Sequence, residues 1–237
     1  MCMGRTHVLM TGALATITAQ PLAHAFLDRH MIAGEVVAFG AVTAGYGLLP
    51  DLDHPQATLA RVLGPVTKAI ARVVATVSGG HRKGTHAIWA AVLAVLGATW
   101  TVSQDWWWAE SVLIFVGLFL VAMILRLGPK PRTGPAELSY ALVAAAGTAA
   151  TMHFVPSGSD GLWWLPWCVG IGVIGHILGD ILTTEGVPVL YPVLPKLVVR
   201  FPVLGSTDST REHGFAWVCT VAWLGGAWLA LSGAGLL

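Results

Sequence analysis

Long apolar stretches recur along this chain, and they constrain its fold more than any other feature. The clearest covers residues 214–237, which contain no charged side chain. A helix needs about 20 apolar residues to cross the hydrocarbon core of a bilayer. Because lipid offers no water to an open backbone, helices are the expected spanning element. Charged residues make up only 11% of the chain, too few to surround a soluble domain of this size.

Seven such stretches predict seven membrane-spanning helices within a single domain, residues 1–237. The predicted spans are 8–27, 32–49, 86–104, 107–127, 137–155, 162–182 and 214–237. The first is interpreted as a span and not as a removable signal peptide, because no small-residue cleavage site precedes Asp28. The expected fold is an all-α, polytopic transmembrane helical bundle of about seven spans.

One further helix is predicted over residues 61–78, and it has a different character. Its apolar residues recur at helical spacing, while Arg61, Lys68 and Arg72 fall on other faces. This pattern is typical of an amphipathic interfacial helix whose basic face meets anionic headgroups. A cytoplasmic helix packed against the bundle fits the pattern equally well.

The basic residues predict the orientation of the chain in the membrane. With a cytoplasmic N-terminus, 12 of the 13 Lys and Arg residues fall on the cytoplasmic side, and only Arg29 falls outside. The positive-inside rule therefore favours a cytoplasmic N-terminus and an external C-terminus in a bacterial or archaeal cytoplasmic membrane. Tryptophans at 106–108 and 163–167 are typical of an aromatic belt at the outer interface.

Eight His and Asp residues fall at the predicted cytoplasmic boundary, although they come from four separate parts of the chain. They are His7, Asp51, Asp53, His54, His81, His86, His176 and Asp180. Ionisable groups at this depth are costly unless they are paired or functional, so their convergence predicts a site. Thr6 and Thr85 each directly precede a candidate histidine, and both are predicted to cap helices.

Imidazole and carboxylate are ligands for zinc and similar divalent ions, so the predicted site is a metal site. His176 and Asp180 are four residues apart and share one face of a helix. Eight candidates exceed the four positions of a closed structural zinc site. Two metals sharing carboxylates are favoured over one metal with an acid/base and outer partners. Zinc is the expected ion, with manganese or magnesium as alternatives.

Four residues are candidates for catalytic roles. Asp53 belongs to the Asp-x-Asp-His cluster, and Arg82 is placed to clamp a phosphate. Glu185 and Glu212 are candidates for a general base or for outer-shell partners. Positive-inside charge is the alternative explanation for Arg82, and a solvated loop position is the alternative for each glutamate.

The motifs that carry these residues resemble, in order and spacing, the bacterial and archaeal family of LexA-regulated, membrane-bound, metal-dependent hydrolases. They are Thr6-His7, Leu49-Pro50-Asp51-Leu52-Asp53-His54-Pro55, His81-Arg82-x-x-Thr85-His86, and His176-x-x-x-Asp180 followed by Gly186 and Tyr191-Pro192. Segment 206–213 also resembles that family's pattern, with Asp208 in place of a glycine. More distantly, the His and Asp pattern is similar to that of zinc-dependent phospholipase C and single-strand nucleases.

The resemblance implies hydrolysis of a phosphoester by metal-activated water. A site at headgroup level predicts a phospholipid or another amphipathic phosphate ester as substrate, with the lipid bilayer as partner. No nucleic-acid partner is expected, and the oligomeric state stays open. Metal-ion or small-solute transport and a non-catalytic structural metal are the alternatives. Metal-dependent intramembrane proteolysis is disfavoured because the sequence contains no H-E-x-x-H motif.

Overall fold

Eight α-helices make up most of the structure, a computed structural model. It describes residues 3–54, 56–57, 59–61, 64–104, 106, 108–129, 135–155 and 162–233, except for the side chains of residues 27 and 61. The helices are α1 (Gly4–Leu27), α2 (Ala33–Tyr46), α3 (Pro65–Val77), α4 (Ile88–Val102), α5 (Ala109–Leu125), α6 (Ala136–Phe154), α7 (Leu165–Ile181) and α8 (Thr210–Leu231). Across these ranges two isolated β-bridges occur but no strand. The predicted all-α class is confirmed.

Each of the seven predicted spans coincides with a helix, namely α1, α2 and α4 to α8. The largest differences are at the ends, as in α8, which begins at Thr210 instead of Gly214. Ser209 caps this helix, because its hydroxyl accepts the backbone N–H of Glu212 at 3.2 Å. Within the described chain, α8 alone is both long and apolar enough to cross a membrane, while α4, α5 and α7 are apolar but shorter.

The start of the amphipathic helix was wrongly predicted. A helix was expected from Arg61, but α3 begins at Pro65, and residues 59–61 form a separate 3-10 turn. Gly64 has a φ of 59°, a left-handed conformation that does not continue a helix, and Pro65 then occupies the first helical position. Residues 62 and 63 of the predicted helix lie outside the described residues.

The apolar face of α3 points away from the bundle. Val66, Ile70, Val73 and Val77 are exposed, whereas Ala71 is the buried residue of this helix. A helix packed on the bundle would bury those valines, so the exposed stripe favours the interfacial alternative. The other sides of the bundle are similarly apolar, with exposed leucines, valines and tryptophans along α4, α6 and α8.

The helix order brings one end of several helices to a common layer. The start of α1, the turn after α2, the turn before α4 and the end of α7 meet there. The start of α8 joins them, because Glu212 accepts the backbone N–H of Met3 at 2.5 Å. Close packing of α2 on α7 depends on Gly172, where a Cβ would lie 2.6 Å from the Cβ of Tyr46. This layer carries the candidate site.

Candidate metal centre

Five of the eight predicted ligands form two overlapping groups of buried donors. One group is His7, His176 and Asp180, and the other is Asp51, His86 and His176. In each group, one ligand atom per residue lies within 4.8 Å of the others. All five side chains are buried, and His176 belongs to both groups. The structure therefore brings together residues that are up to 173 positions apart (180 − 7) in the chain.

Hydrogen bonds behind the rings orient two of these imidazoles. Nδ1 of His176 lies 2.7 Å from the carbonyl oxygen of Gly47, so this nitrogen carries the proton and donates it. Nδ1 of His86 lies 3.0 Å from the hydroxyl of Thr85, which itself donates to Asp53. The hydroxyl oxygen is thus left to accept from His86, and both Nε2 atoms carry lone pairs.

These two lone pairs face each other. Nε2 of His176 is 3.1 Å from Nε2 of His86 and 3.7 Å from Oδ1 of Asp51. Two imidazole lone pairs at this separation repel unless a cation lies near both. The arrangement is one that a bound cation would stabilise.

Asp180 lies between the two groups. Its Oδ1 is 3.4 Å from Nε2 of His7, and its Oδ2 is 3.6 Å from Nε2 of His86 and 3.8 Å from Nε2 of His176. The His7 ring stacks on the His176 ring with centroids 3.7 Å apart. Gly179 permits this approach of α1 to α7, because a Cβ there would lie 2.8 Å from Nδ1 of His7. A carboxylate in this position is suited to bridge two ions.

Buried atoms without partners test whether a metal fits here. Both ring nitrogens of His7 and Oδ1 of Asp51 are buried and have no hydrogen-bond partner in the described part of the chain. Burial also raises the pKa of Asp51, an effect that the neighbouring His7 and His86 partly offset. Leaving such groups unpaired is costly. Divalent cations would satisfy Oδ1 of Asp51 and the unprotonated ring nitrogen of His7, and the imidazole and carboxylate donor set suits zinc.

Asp53 lies behind His86 rather than in either group. Its Oδ2 accepts the Thr85 hydroxyl and the backbone N–H of Arg82 at 3.1 Å, and its Oδ1 accepts from Nδ1 of His81 at 2.7 Å. Burial would raise the pKa of Asp53, but the hydrogen bonds from His81, His86 and Thr85 outweigh burial and lower this pKa. A carboxylate that orients a ligating histidine is a recurrent outer-shell partner.

His54 and His81 lie beside Asp53, in the layer outside the two groups. Their rings meet edge to face with centroids 4.6 Å apart, and Nδ1 of His54 accepts the backbone N–H of Gln56 at 3.1 Å. His81 is partly exposed and lies 5.4 Å from the His86 ring, centroid to centroid. Neither residue belongs to the two groups of buried donors in the described chain.

Arg82 connects the buried groups to the rim of the site. Its guanidinium lies 3.0 Å from Oδ1 of Asp180 and 2.7 Å from Oε2 of Glu185, whose side chain is 66% exposed. The Arg82 backbone has a φ of 59°, an unusual value for a residue with a side chain. Nε of Arg82 is buried and has no hydrogen-bond partner among the described residues. This donor suits an anionic oxygen.

Glu212 is buried, and its carboxylate joins two chain segments. It accepts the backbone N–H of Met3 and, at 2.8 Å, that of Asp208. These contacts tie the start of α1 to the start of α8, while the catalytic role of Glu212 stays a prediction. Asp208 has a φ of 64°, a conformation that glycine adopts without strain, which accounts for a glycine at this position in the resembled family.

The predicted capping roles of Thr6 and Thr85 were wrong. Thr6 lies inside α1, which is preceded by Met3, and its buried hydroxyl has no hydrogen-bond partner in the described chain. Thr85 donates to Asp53 instead of capping α4. The Gly47 carbonyl that orients His176 could not be predicted, because backbone acceptors carry no sequence signal.

The known proteins that this chain resembles are named for their location in the inner membrane and not for a reaction. The inner membrane protein YdjM of Escherichia coli (strain K12) and that of Shigella flexneri are each 24% identical to this chain over 182 residues. The alignments cover 77% of this chain and 61% of each relative, so the chain spans less than two thirds of the curated relatives. No solved structure matches it significantly. Residues 1–128 and 137–235 match the family model described as YdjM inner membrane protein, and the chain therefore belongs to the YdjM inner membrane protein family.

Proposed function

We propose that this protein is a membrane-bound, metal-dependent hydrolase that cleaves a phosphoester at the cytoplasmic face of the inner membrane. The single observation that carries the proposal is the pair of buried donor groups that share His176, with imidazole lone pairs facing each other. The family resemblance implies the same chemistry, together with LexA regulation. The names of the curated relatives give a location and no activity.

Two divalent ions fit the donor set better than one, because Asp180 reaches toward both groups and a carboxylate can bridge two ions. His176 would ligate one of the two ions, since its Nδ1 donates to Gly47 and only Nε2 has a free lone pair. Zinc is the first candidate, with manganese and magnesium as alternatives. When bound, the ions would supply a water nucleophile at neutral pH and would stabilise charge on a phosphoryl group. Asp53, His54 and His81 then act as outer partners that hold the ligands in place.

Side chains at the rim of the metal centre are placed to act on the substrate. Arg82 is the group that stabilises an anionic phosphoryl oxygen, because its guanidinium lies beside Asp180 and its Nε has no hydrogen-bond partner in the described part of the chain. Glu185 is the carboxylate on the exposed side of Arg82 and is the candidate to accept a proton from water. Glu212 supports this layer by holding the start of α1.

Seven helices crossing the membrane, with the N-terminus inside and the C-terminus outside, would set this layer at the cytoplasmic headgroups. Two nearby elements expose apolar and basic side chains together. These are α3, which carries Lys68 and Arg72, and residues 190–203, where Val193 and Phe201 are exposed beside Lys196 and Arg200. Such surfaces bind at the membrane interface. They support a phospholipid or another amphipathic phosphate ester as the substrate.

The test is turnover of a soluble diester, bis(p-nitrophenyl) phosphate, by detergent-purified protein with measured metal content. We expect one or two equivalents of metal, turnover that chelation abolishes and metal restores, and a loss of at least 100-fold in His86→Ala. His24→Ala is the matched control, because His24 is exposed and lies at the other end of α1. Protein without stoichiometric metal, or full turnover by His86→Ala, would contradict the proposal.

Complete burial of the five donors favours one alternative, a metal that only ties helices together. A tightly held ion without exchangeable water and without turnover would support that alternative. Transport is less favoured, because the donors lie at the helix ends and not near the midplane. Metal uptake into proteoliposomes without hydrolysis would favour transport.

A further inference from the structure

An apolar cavity of about 690 Å³ lies between α1, α4 and α7. Hydrocarbon side chains form nearly all of its wall, and Thr18 contributes a hydroxyl that already donates to the Leu14 carbonyl at 2.7 Å. A polar or charged molecule would find no partner along this wall. The occupant must therefore be hydrocarbon, in a volume typical of ligand pockets.

The cavity opens sideways, toward the surface that faces lipid. Leu14 and Phe26 on α1, Val92 on α4, and Trp167 and Ile174 on α7 all line the cavity and are exposed. Ala19, Ala23 and Ala91 are buried and form its floor. A slot of this kind is accessible to a molecule already dissolved in the bilayer.

Helices α1 and α7 and the turn before α4 carry candidate ligands of the metal centre. Ile88 of the cavity wall follows His86 by two residues, and Ile174 precedes His176 by two. Leu14 lies seven residues after His7 on α1, which is about 10 Å along a helix. One end of the slot is therefore next to the metal centre, while Phe26 and Trp163 line the other end.

The slot is longer than one leaflet is thick. Along α1, Leu14 and Phe26 are separated by about 18 Å at the usual helical rise, and Leu14 already lies about 10 Å beyond His7. Trp163 at the far end belongs to the tryptophans predicted for the outer interface, so the slot reaches past the bilayer midplane, which is about 15 Å from the edge of the hydrocarbon core. A long acyl chain that starts at the cytoplasmic headgroups would extend along it.

We propose that this cavity binds one acyl chain of a cytoplasmic-leaflet phospholipid and so holds the phosphate of that lipid at the metal centre. The inference rests on the proposed function for the fate of the phosphate, and it names the substrate class of that site. Arg82, at the same end of the bundle, provides the charge for the headgroup. Binding of the chain itself depends only on the cavity.

Photolabelling tests the binding step without relying on turnover. The protein is placed in nanodiscs of phosphatidylethanolamine and phosphatidylglycerol, with a trace of phosphatidylglycerol that carries a diazirine in one acyl chain. After irradiation, mass spectrometry locates the label. We expect labelling on the cavity residues of α1, α4 and α7 to exceed labelling on the exposed face of α6 by at least fivefold.

Two variants fill the slot from different helices, Thr18→Phe and Val92→Phe. Each should reduce cavity labelling at least fivefold, and Ala149→Phe, an exposed position on α6, should leave it unchanged. Label spread evenly over α4, α6 and α8, or full labelling in both filled variants, would overturn the inference. A crosslink between two copies of the chain through this slot would also overturn it, because another helix would then be the occupant.

Measurements of turnover distinguish the proposed acyl-chain site from the proposed hydrolase function. If the slot is the chain-binding site, Thr18→Phe and Val92→Phe keep their turnover of bis(p-nitrophenyl) phosphate and raise the KM only for long-chain phospholipid. Selective cavity labelling in a protein without hydrolysis would support the chain site and contradict the proposed function. Hydrolysis of the soluble diester without selective labelling would overturn the chain site alone.

Discussion

The two ends of the helical bundle both carry histidines and acids, but they use them differently. At one end, His7, His86 and His176 are buried. Nε2 of His86 and Nε2 of His176 lie close together, and the ring nitrogens of His7 have no hydrogen-bond partner among the residues that the structure describes. At the other end, His24 is exposed and stacks on His30 with ring centroids 5.4 Å apart. The difference lies in burial and in unsatisfied donors and acceptors, and not in the number of ionisable residues.

Buried acids show the same contrast. Glu35 is buried at the start of α2, where its carboxylate accepts the backbone N–H of Ile32 at 2.8 Å. This carboxylate has a hydrogen-bond partner within the protein and does not need a ligand. Asp51 is buried with an oxygen that has no hydrogen-bond partner in the described chain. The unpaired oxygen of Asp51 is the kind of group that a bound metal would satisfy, whereas the carboxylate of Glu35 already accepts a hydrogen bond.

The largest effect is expected from the histidine that both donor groups share. His176→Ala should lose at least one of the two ions, whereas His24→Ala should keep the full metal content, since His24 contacts neither group. Metal analysis by mass spectrometry after extensive dialysis measures the difference. Full retention of the wild-type metal content by His176→Ala would break the comparison.

Metal removal should destabilise the protein strongly. If the ions are present at about 1,000 times their Kd, chelation should lower the free energy of unfolding by about 4 kcal/mol. Thermal unfolding followed by intrinsic fluorescence, with and without chelator, checks this value. His176→Ala should respond less to chelator, because it has fewer ions to lose. An identical melting temperature of the wild-type protein with and without chelator would argue against a resident metal.

A moderate effect is expected at Asp53. Asp53→Asn keeps the shape of the side chain but removes the charge that orients His86 through Thr85. Metal affinity or activity should fall by about 10- to 100-fold, as is typical for outer-shell carboxylates. Asp51→Asn should lower metal affinity or activity further, because Asp51 belongs to a donor group. Equal losses in the two variants would mean that Asp53 is itself a ligand.

The pattern of apolar residues was sufficient to predict the helices, because each predicted span is a continuous run that must satisfy its own backbone. It could not locate the start of α3, where Gly64 and Pro65 interrupt a regular apolar repeat. The amphipathic pattern continued through that break, so local backbone conformation decided the outcome. Only the exposure of Val66 and Val77 favours the interfacial alternative, which the sequence had left level with packing on the bundle.

The sequence also predicted which residues would gather, but not how they would be arranged in layers. Spacing of four residues is enough to align His176 with Asp180. It cannot distinguish Asp51 from Asp53, two residues apart in one 3-10 turn, of which one joins a donor group and the other lies behind His86. That distinction depends on the direction of side chains in a tight turn. No periodic signal carries it.

A smaller effect is expected at Arg82. Arg82→Lys should lower kcat/KM for a phosphodiester by about 10-fold, and Arg82→Ala by about 100-fold, because lysine keeps the charge but loses the planar fork of donors. Metal content should be unchanged in both variants, since Arg82 is not a metal ligand. Steady-state kinetics alongside metal analysis separates these effects. Loss of metal from Arg82→Lys would indicate a structural role instead.

The smallest effect concerns acid stability of the metal-free protein. The pKa of Asp53 is lowered from 3.8 in the folded state, so its contribution to stability is present above about pH 4 and is lost as the pH falls toward the lowered value. Asp53→Asn should therefore be less stable than wild type at pH 6 and should approach it at lower pH. Chemical unfolding in chelator at several pH values measures the difference in the free energy of unfolding between the two proteins. A gap that is constant with pH would contradict the assigned hydrogen-bond network.

The central claim is that the two donor groups hold metal, and anomalous diffraction at the zinc edge from crystals of the purified protein tests it most directly. We expect two peaks about 3.5–4 Å apart, as in two-metal sites, contacted by His7, Asp51, His86, His176 and Asp180. A protein that binds no ion, or one whose ion lies at His24 and His30 instead, would contradict the account.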